Sequence, residues 1–277
     1  MKKGLIISLV LFFLFSLSAY LCARTKIYDQ RTDVKEIHAT ASQLSPEVIR
    51  SLAGEFKGIM ADYFLLEAAT VIGSQNKLNA EDWKAISRLF KQSMALDPYF
   101  KQTYSLIQAT LPWEAKMPER AIELLKISSR HRSWDWQPDF YIGFDYYYHL
   151  KDNLNGSKYL MEASKKPGAS PLLGMLGARL SQKGGQTKTG IVFLRTMYAN
   201  EKNEDTKKQI KQRMDALEGV LILEEAIEKF TLKFDRSPKN LDELITAEIL
   251  SAIPENPYSD TYFYDHKTGI ISYDTAF

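Results

Sequence analysis

The side chains best suited to bind a metal or move a proton near neutral pH are His38, His131, His149 and His266. They are scattered, and no two stand at the short spacing that metal sites use, so packing or surface roles are expected of each. Cys22 is the only cysteine and falls inside an apolar run, which leaves no disulfide framework, no thiolate zinc site and no obvious thiol nucleophile. Gly185-Gln186-Thr187-Lys188-Thr189-Gly190 opens like a phosphate-binding loop, but Ile191 and Val192 occupy the places of the Lys and the Ser or Thr that such a loop needs. No Gly-x-Ser-x-Gly elbow occurs. The adjacent acids Glu204 and Asp205, and Glu224 and Glu225, belong to charged helix faces. Asn256, Asp260 and Asp265 offer oxygens to calcium without the dense carboxylate set such a site uses. No catalytic residue, cofactor, metal or small-molecule substrate is therefore expected. With 36 basic against 34 acidic residues, no global field draws a phosphate backbone, so nucleic acid is not an expected partner either. Protein binding remains.

The elements that would position a binding surface begin with residues 1–26. Lys2 and Lys3 precede the run 5–22, eighteen residues without a charge, which Arg24 and Lys26 close. That length suits one helical span, and the residues ahead of possible cleavage points fit a signal peptidase poorly, so an uncleaved signal anchor is expected. Asp29 and Asp33 offset Arg24 and Lys26, whereas Lys2 and Lys3 stand unopposed. The positive-inside rule then places the body outside the cytoplasm, as a single-pass protein of a bacterial inner membrane. Residues 27–60 read as a linker and a first helix.

From 61 to 200, apolar positions recur at helical spacing between short breaks containing Pro, Gly or Asn. Phe90, Leu125, Leu160 and Leu194 follow one another at intervals of 35, 35 and 34 residues. Four residues before each stand Ile86, Ala121, Gly156 and Gly190, the last three of them small. A small residue lets one helix of a pair approach its neighbour, and the large one a turn later fills the space between pairs. These residues are assigned to packing.

This stretch resembles the tetratricopeptide (TPR) family of helix-turn-helix repeats. The marks are Gly143 with Tyr146 three residues on, Ala121 early in a second helix, and Pro98 closing a unit, while Ile86 departs from the small residue expected there. The resemblance implies an α-solenoid in which the first helix of each pair lines a concave face. Between Trp134 and Tyr148 the chain holds two tryptophans, two phenylalanines and four tyrosines in fifteen residues. Phe140, Gly143, Phe144 and Tyr147 form one stripe, assigned to packing. Tyr141, Asp145 and Tyr148 form a second, which with Met175 and Arg179 of the next unit is expected to bind a protein partner.

Residues 201–277 change character. Apolar stripes from Ile210 to Phe234 predict a long helix, bent at Gly219; 241–250 suit a short helix, and 261–264 with 270–273 a β-hairpin. Ser237-Pro238-Lys239-Asn240-Leu241-Asp242-Glu243-Leu244, Ile253-Pro254-Glu255-Asn256-Pro257-Tyr258-Ser259 and Tyr262-Phe263-Tyr264 resemble the segment after the long helix in type II secretion pseudopilins, with Asn256, Tyr258 and Ser259 in place of Asp, Trp and Gly. The expected fold is mainly α: a transmembrane helix, a TPR-like solenoid and a small α+β module. The expected function is an anchored protein-interaction scaffold serving secretion, surface polymer export or fibre assembly. The competing reading is a structural part of a type II secretion or type IV pilus-like assembly acting through the carboxy-terminal module.

Overall fold

The computed structural model describes residues 8, 12–26, 44–74, 77–259 and 261–273. The rest of the 5–22 run, Lys2, Lys3, residues 27–43 with His38, and Asp260 lie outside them. Helix α1, described over 12–26, exposes its side chains throughout. Among the described residues no helix is long and apolar enough to cross a membrane.

The chain is mainly helical with one small antiparallel sheet, and it divides into two compact units, residues 1–97 and 98–277. In the first, α2 (Pro46–Ala53) starts where Ser45 accepts a hydrogen bond from the Val48 amide and stops at Gly54, whose φ of +48° suits glycine. A 3-10 turn, Gly54–Phe56, leads into α3 (Lys57–Ser74), so the boundary expected at 60 falls inside one helix. Helix α4 (Ala80–Leu96) opens with a capping box between Asn79 and Asp82 and packs on α3. Ala61, Phe64, Leu65, Ala68, Ile86 and Phe90 are buried here.

The second unit continues with α5 (Lys101–Thr110), α6 (Pro118–His131), α7 (Gln137–Tyr148), α8 (Asn153–Ser164), α9 (Pro171–Lys183), α10 (Thr187–Asn200) and α11 (Glu204–Phe234). Proline in the first turn starts α6, α7 and α9, where a missing N–H costs nothing, and Asp152, Ser170 and Asn203 cap α8, α9 and α11. From α5 to α11 the main packing partner of each helix is its neighbour in the chain. Small residues set a close crossing between α7 and α8. A Cβ on Gly143 would stand 2.9 Å from Leu160 Cγ and 3.1 Å from the Gly156 oxygen, and one on Gly156 would stand 3.2 Å from the Gly143 oxygen. Helices α7 and α8 thus meet backbone to backbone, with Leu160 closing the gap at 1% exposure. Leu125 and Leu194 are fully buried as well.

Helix α11 runs without interruption through Gly219, whose missing Cβ makes room for the Tyr262 ring; that Cβ would stand 2.0 Å from the Tyr262 hydroxyl. Tyr262 donates to the Ala216 oxygen (3.2 Å), and burial pushes its hydroxyl up to about 12. After α12 (Asp242–Thr246), β1 (Phe263–Asp265) pairs antiparallel with β2 (Ile270–Ser272), Tyr264 opposite Ile271. One core joins Met161, Met175 and Leu194 to Leu217, Val220, Tyr262, Ile271 and Tyr273, so the packing runs straight across position 200. Gln182 on α9 donates to the Ile271 oxygen at 2.9 Å and ties α9 to the hairpin.

Candidate binding surface

Helix α7 carries the densest aromatic segment, and its start is fixed by charge. Asp139, in the first turn, is buried and pairs with Lys166 from beyond α8 at 2.6 Å while accepting from Ser129 on α6. Just upstream, Tyr104 on α5 donates to Asp135 at 2.6 Å, and Arg132 reaches both Asp135 (2.9 Å) and the Tyr99 oxygen (2.7 Å). Burial works to raise the Asp135 carboxyl, but hydrogen bonds from Tyr104, the Gln137 amide and Arg132 outweigh it and hold it low. The same burial, with the Asp135 carboxylate beside it, pushes the Tyr104 hydroxyl far up. These contacts pin the loop that aims α7.

Along α7, Phe140, Phe144 and Tyr148 follow at one-turn steps, Phe144 and Tyr148 stacked at 5.3 Å. Trp113, from the loop after α5, lies 6.1 Å from Phe144, 5.3 Å from Tyr148 and 4.6 Å from the His149 ring. Trp113 is 39% exposed and Tyr148 46%, while Phe140 and Phe144 are half-buried. Lys151 stands over the Tyr148 ring at 5.2 Å. The result is an aromatic face with a basic edge.

Beneath it lies a buried acid. Asp145 is 0% exposed and accepts from Gln108 Nε2 at 3.0 Å, while its second oxygen has no hydrogen-bond partner. Burial pushes its carboxyl up to about 7, against the pull of the Gln108 hydrogen bond. His149 Nε2 stands 3.9 Å from Asp145 Oδ1, yet desolvation, then Lys116 and Lys151, pull the imidazole down. Both shifts oppose charge separation and the distance exceeds a hydrogen bond, so the two side chains make no hydrogen-bonded ion pair.

The residues expected to form the partner surface differ in exposure. Tyr148 is exposed. Tyr141 is half-buried, its ring 6.3 Å from Tyr104. Arg179 is half-buried on α9. Asp145 and Met175 are corrections: Asp145 turns inward to Gln108, and Met175, 4% exposed, belongs to the core that α11 completes. The packing stripe divides likewise, since Gly143 is buried but Tyr147 is 38% exposed. Phe140, Phe144 and Trp113 take their place at the surface. The phenylalanines were visible at i and i+4 before Tyr148; Trp113, in a loop, has no periodic signal.

Elsewhere, a groove of about 910 Å³ opens between α8 and α10, lined by Ser157, Met161, Phe193 and Met197. Of its charges Lys158, Glu162 and Lys165, the last two pair with each other at 2.6 Å, so it presents no concentrated chemistry. Among the described residues no three His, Cys, Asp or Glu side chains converge to hold a metal. Asn256 serves its own loop, with Nδ2 on the Tyr273 oxygen (2.7 Å) and Oδ1 accepting from the Tyr258 amide (3.0 Å). Asp265 accepts from Lys267 and Thr268 within the hairpin turn. No protein-family model, curated protein or solved structure matches the chain.

Proposed function

We propose that this chain is a TPR-type helical-repeat scaffold, anchored through residues 5–22 in a bacterial inner membrane with its body outside the cytoplasm, which recruits protein partners on the aromatic face of α7. The observation that carries the binding role is the surface made by Phe144, Tyr148 and Trp113 with Lys151 at its edge. Partly exposed tyrosine and tryptophan combine apolar area with a polar tip, the composition of binding hot spots, and a rigid helix presents them without an ordering cost. The repeat reading is supported by the period of 35, 35 and 34 residues and by chain-neighbour packing from α5 to α11. The anchor reading rests on the charge-free run and the lysines before it.

A photo-crosslinking side chain at position 148 in living cells tests the binding role, with the same side chain at Lys183 as control. Expected is a discrete crosslinked partner at 148 alone, lost in Trp113→Ala, a variant that keeps its melting temperature. Equal labelling at both positions, or a fall in stability without a selective loss, sinks the reading. For the topology, a reporter that works only outside the cytoplasm, fused after Phe277, is expected to be active.

A further inference from the structure

Helix α3 is apolar on two sides. One side buries Ala61, Phe64, Leu65 and Ala68 within its own unit. The other presents Ile59 (67% exposed), Tyr63 (45%) and Leu66 (66%), at steps of four and three residues, and Phe56 (68%) stands one step of three upstream, at the end of the 3-10 turn that leads into α3. A helix apolar all round is ordinarily covered all round. Nothing described in this unit covers the stripe: α4 takes the inner side, and the side chains of α1 are themselves exposed.

We infer that the stripe is a seam between two copies of this chain, α3 against α3. Alternating steps of three and four are the spacing with which two like helices interlock side chains. Four large side chains, averaging about 60% exposed and of roughly 200 Å² each, offer about 500 Å² per copy, or roughly 1,000 Å² for the pair, the least that a specific interface has to clear. The stripe's rim disfavours a membrane surface. Glu55 and Asp62 flank it, exposed, against the single Lys57, whereas a helix lying on anionic headgroups carries a basic rim. Across a symmetric seam the same acids repel, so the pair tightens as salt screens them, while capture by headgroups weakens. This inference does not depend on the α7 surface.

The test uses the full chain in phosphatidylcholine vesicles, with Cys22→Ser as background and one cysteine introduced at a time. Under mild oxidation, Ile59→Cys and Tyr63→Cys are expected to give an intermolecular disulfide several-fold more than Lys84→Cys, whose native side chain is exposed on α4. Adding Leu66→Glu to Tyr63→Cys is expected to abolish the crosslink with helical content unchanged, and added sodium chloride to increase it. A yield at positions 59 and 63 no higher than at 84, a yield indifferent to Leu66→Glu, or one that salt lowers overturns the seam.

Discussion

Asp145 concentrates the chemistry of α7 in one side chain. An aspartate whose pKa rises from 3.8 to about 7 on folding holds a proton that the unfolded chain releases. Its contribution to stability is therefore complete below pH 3.8 and is lost as pH climbs through 7. His149 acts in the opposite sense, because a depressed imidazole contributes stability above its ordinary value and loses it as pH falls. Comparing the native chain with Asp145→Asn removes the part of the histidine's contribution that does not depend on Asp145. Asparagine keeps the shape and can bond Gln108 but cannot ionise, so the variant is expected to gain on the native chain by roughly 2–4 kcal/mol between pH 4.5 and pH 8 in urea unfolding. A difference that stays flat over that range would mean that the carboxyl ionises freely. Trp113 and Tyr148 both meet the His149 ring, which stands beside Asp145.

The helix crossings are where stability concentrates among the elements. Gly143→Ala puts a methyl within 2.9 Å of Leu160 and against the Gly156 backbone, and Gly156→Leu overfills the same crossing. Leu125→Ala and Leu160→Ala leave cavities, each expected to cost roughly 2–5 kcal/mol in thermal or urea unfolding. Unchanged melting in all four would refute the register. The burial of Leu125, Leu160 and Leu194 was legible in the sequence because a small residue four places before a large one recurs at a near-fixed period, as helix packing requires. The faces of α7 were not legible. Aromatic residues surround that helix, so no periodicity separates inside from outside, and Asp145 turns inward because Gln108, thirty-seven residues earlier, reaches it. Met175 misled for a related reason: its cover comes from α11, which no spacing within the repeats announces. Gly219, which suggested a bend, instead seats Tyr262, a contact spanning forty-three residues.

On the scale of the whole molecule, residues 98–277 end in a structure that covers the helix pair α9 and α10. A stack of helix pairs leaves an apolar face at its last pair, and repeat proteins close that face with an atypical terminal element. Here α11 does so, burying Ile210, Met214, Leu217 and Val220 in one core with Met175, Ile191 and Leu194, while Tyr262 and Ile271 extend that core and Gln182 bonds the hairpin. The segment after α11 is thus part of the same core, and its removal can be graded. A chain ending after Asn203 exposes the α9–α10 face and is expected to lose hydrogen-exchange protection through α10, with α7 and α8 retaining theirs because they bury each other. A chain ending after Phe234 keeps α11 and is expected to show intermediate protection, since α11 still covers Leu194 but has lost Tyr262 from the seat at Gly219. Full protection of α10 in the shorter chain would show instead that the repeats close on their own, and the carboxy-terminal segment would then be free to serve an assembly role.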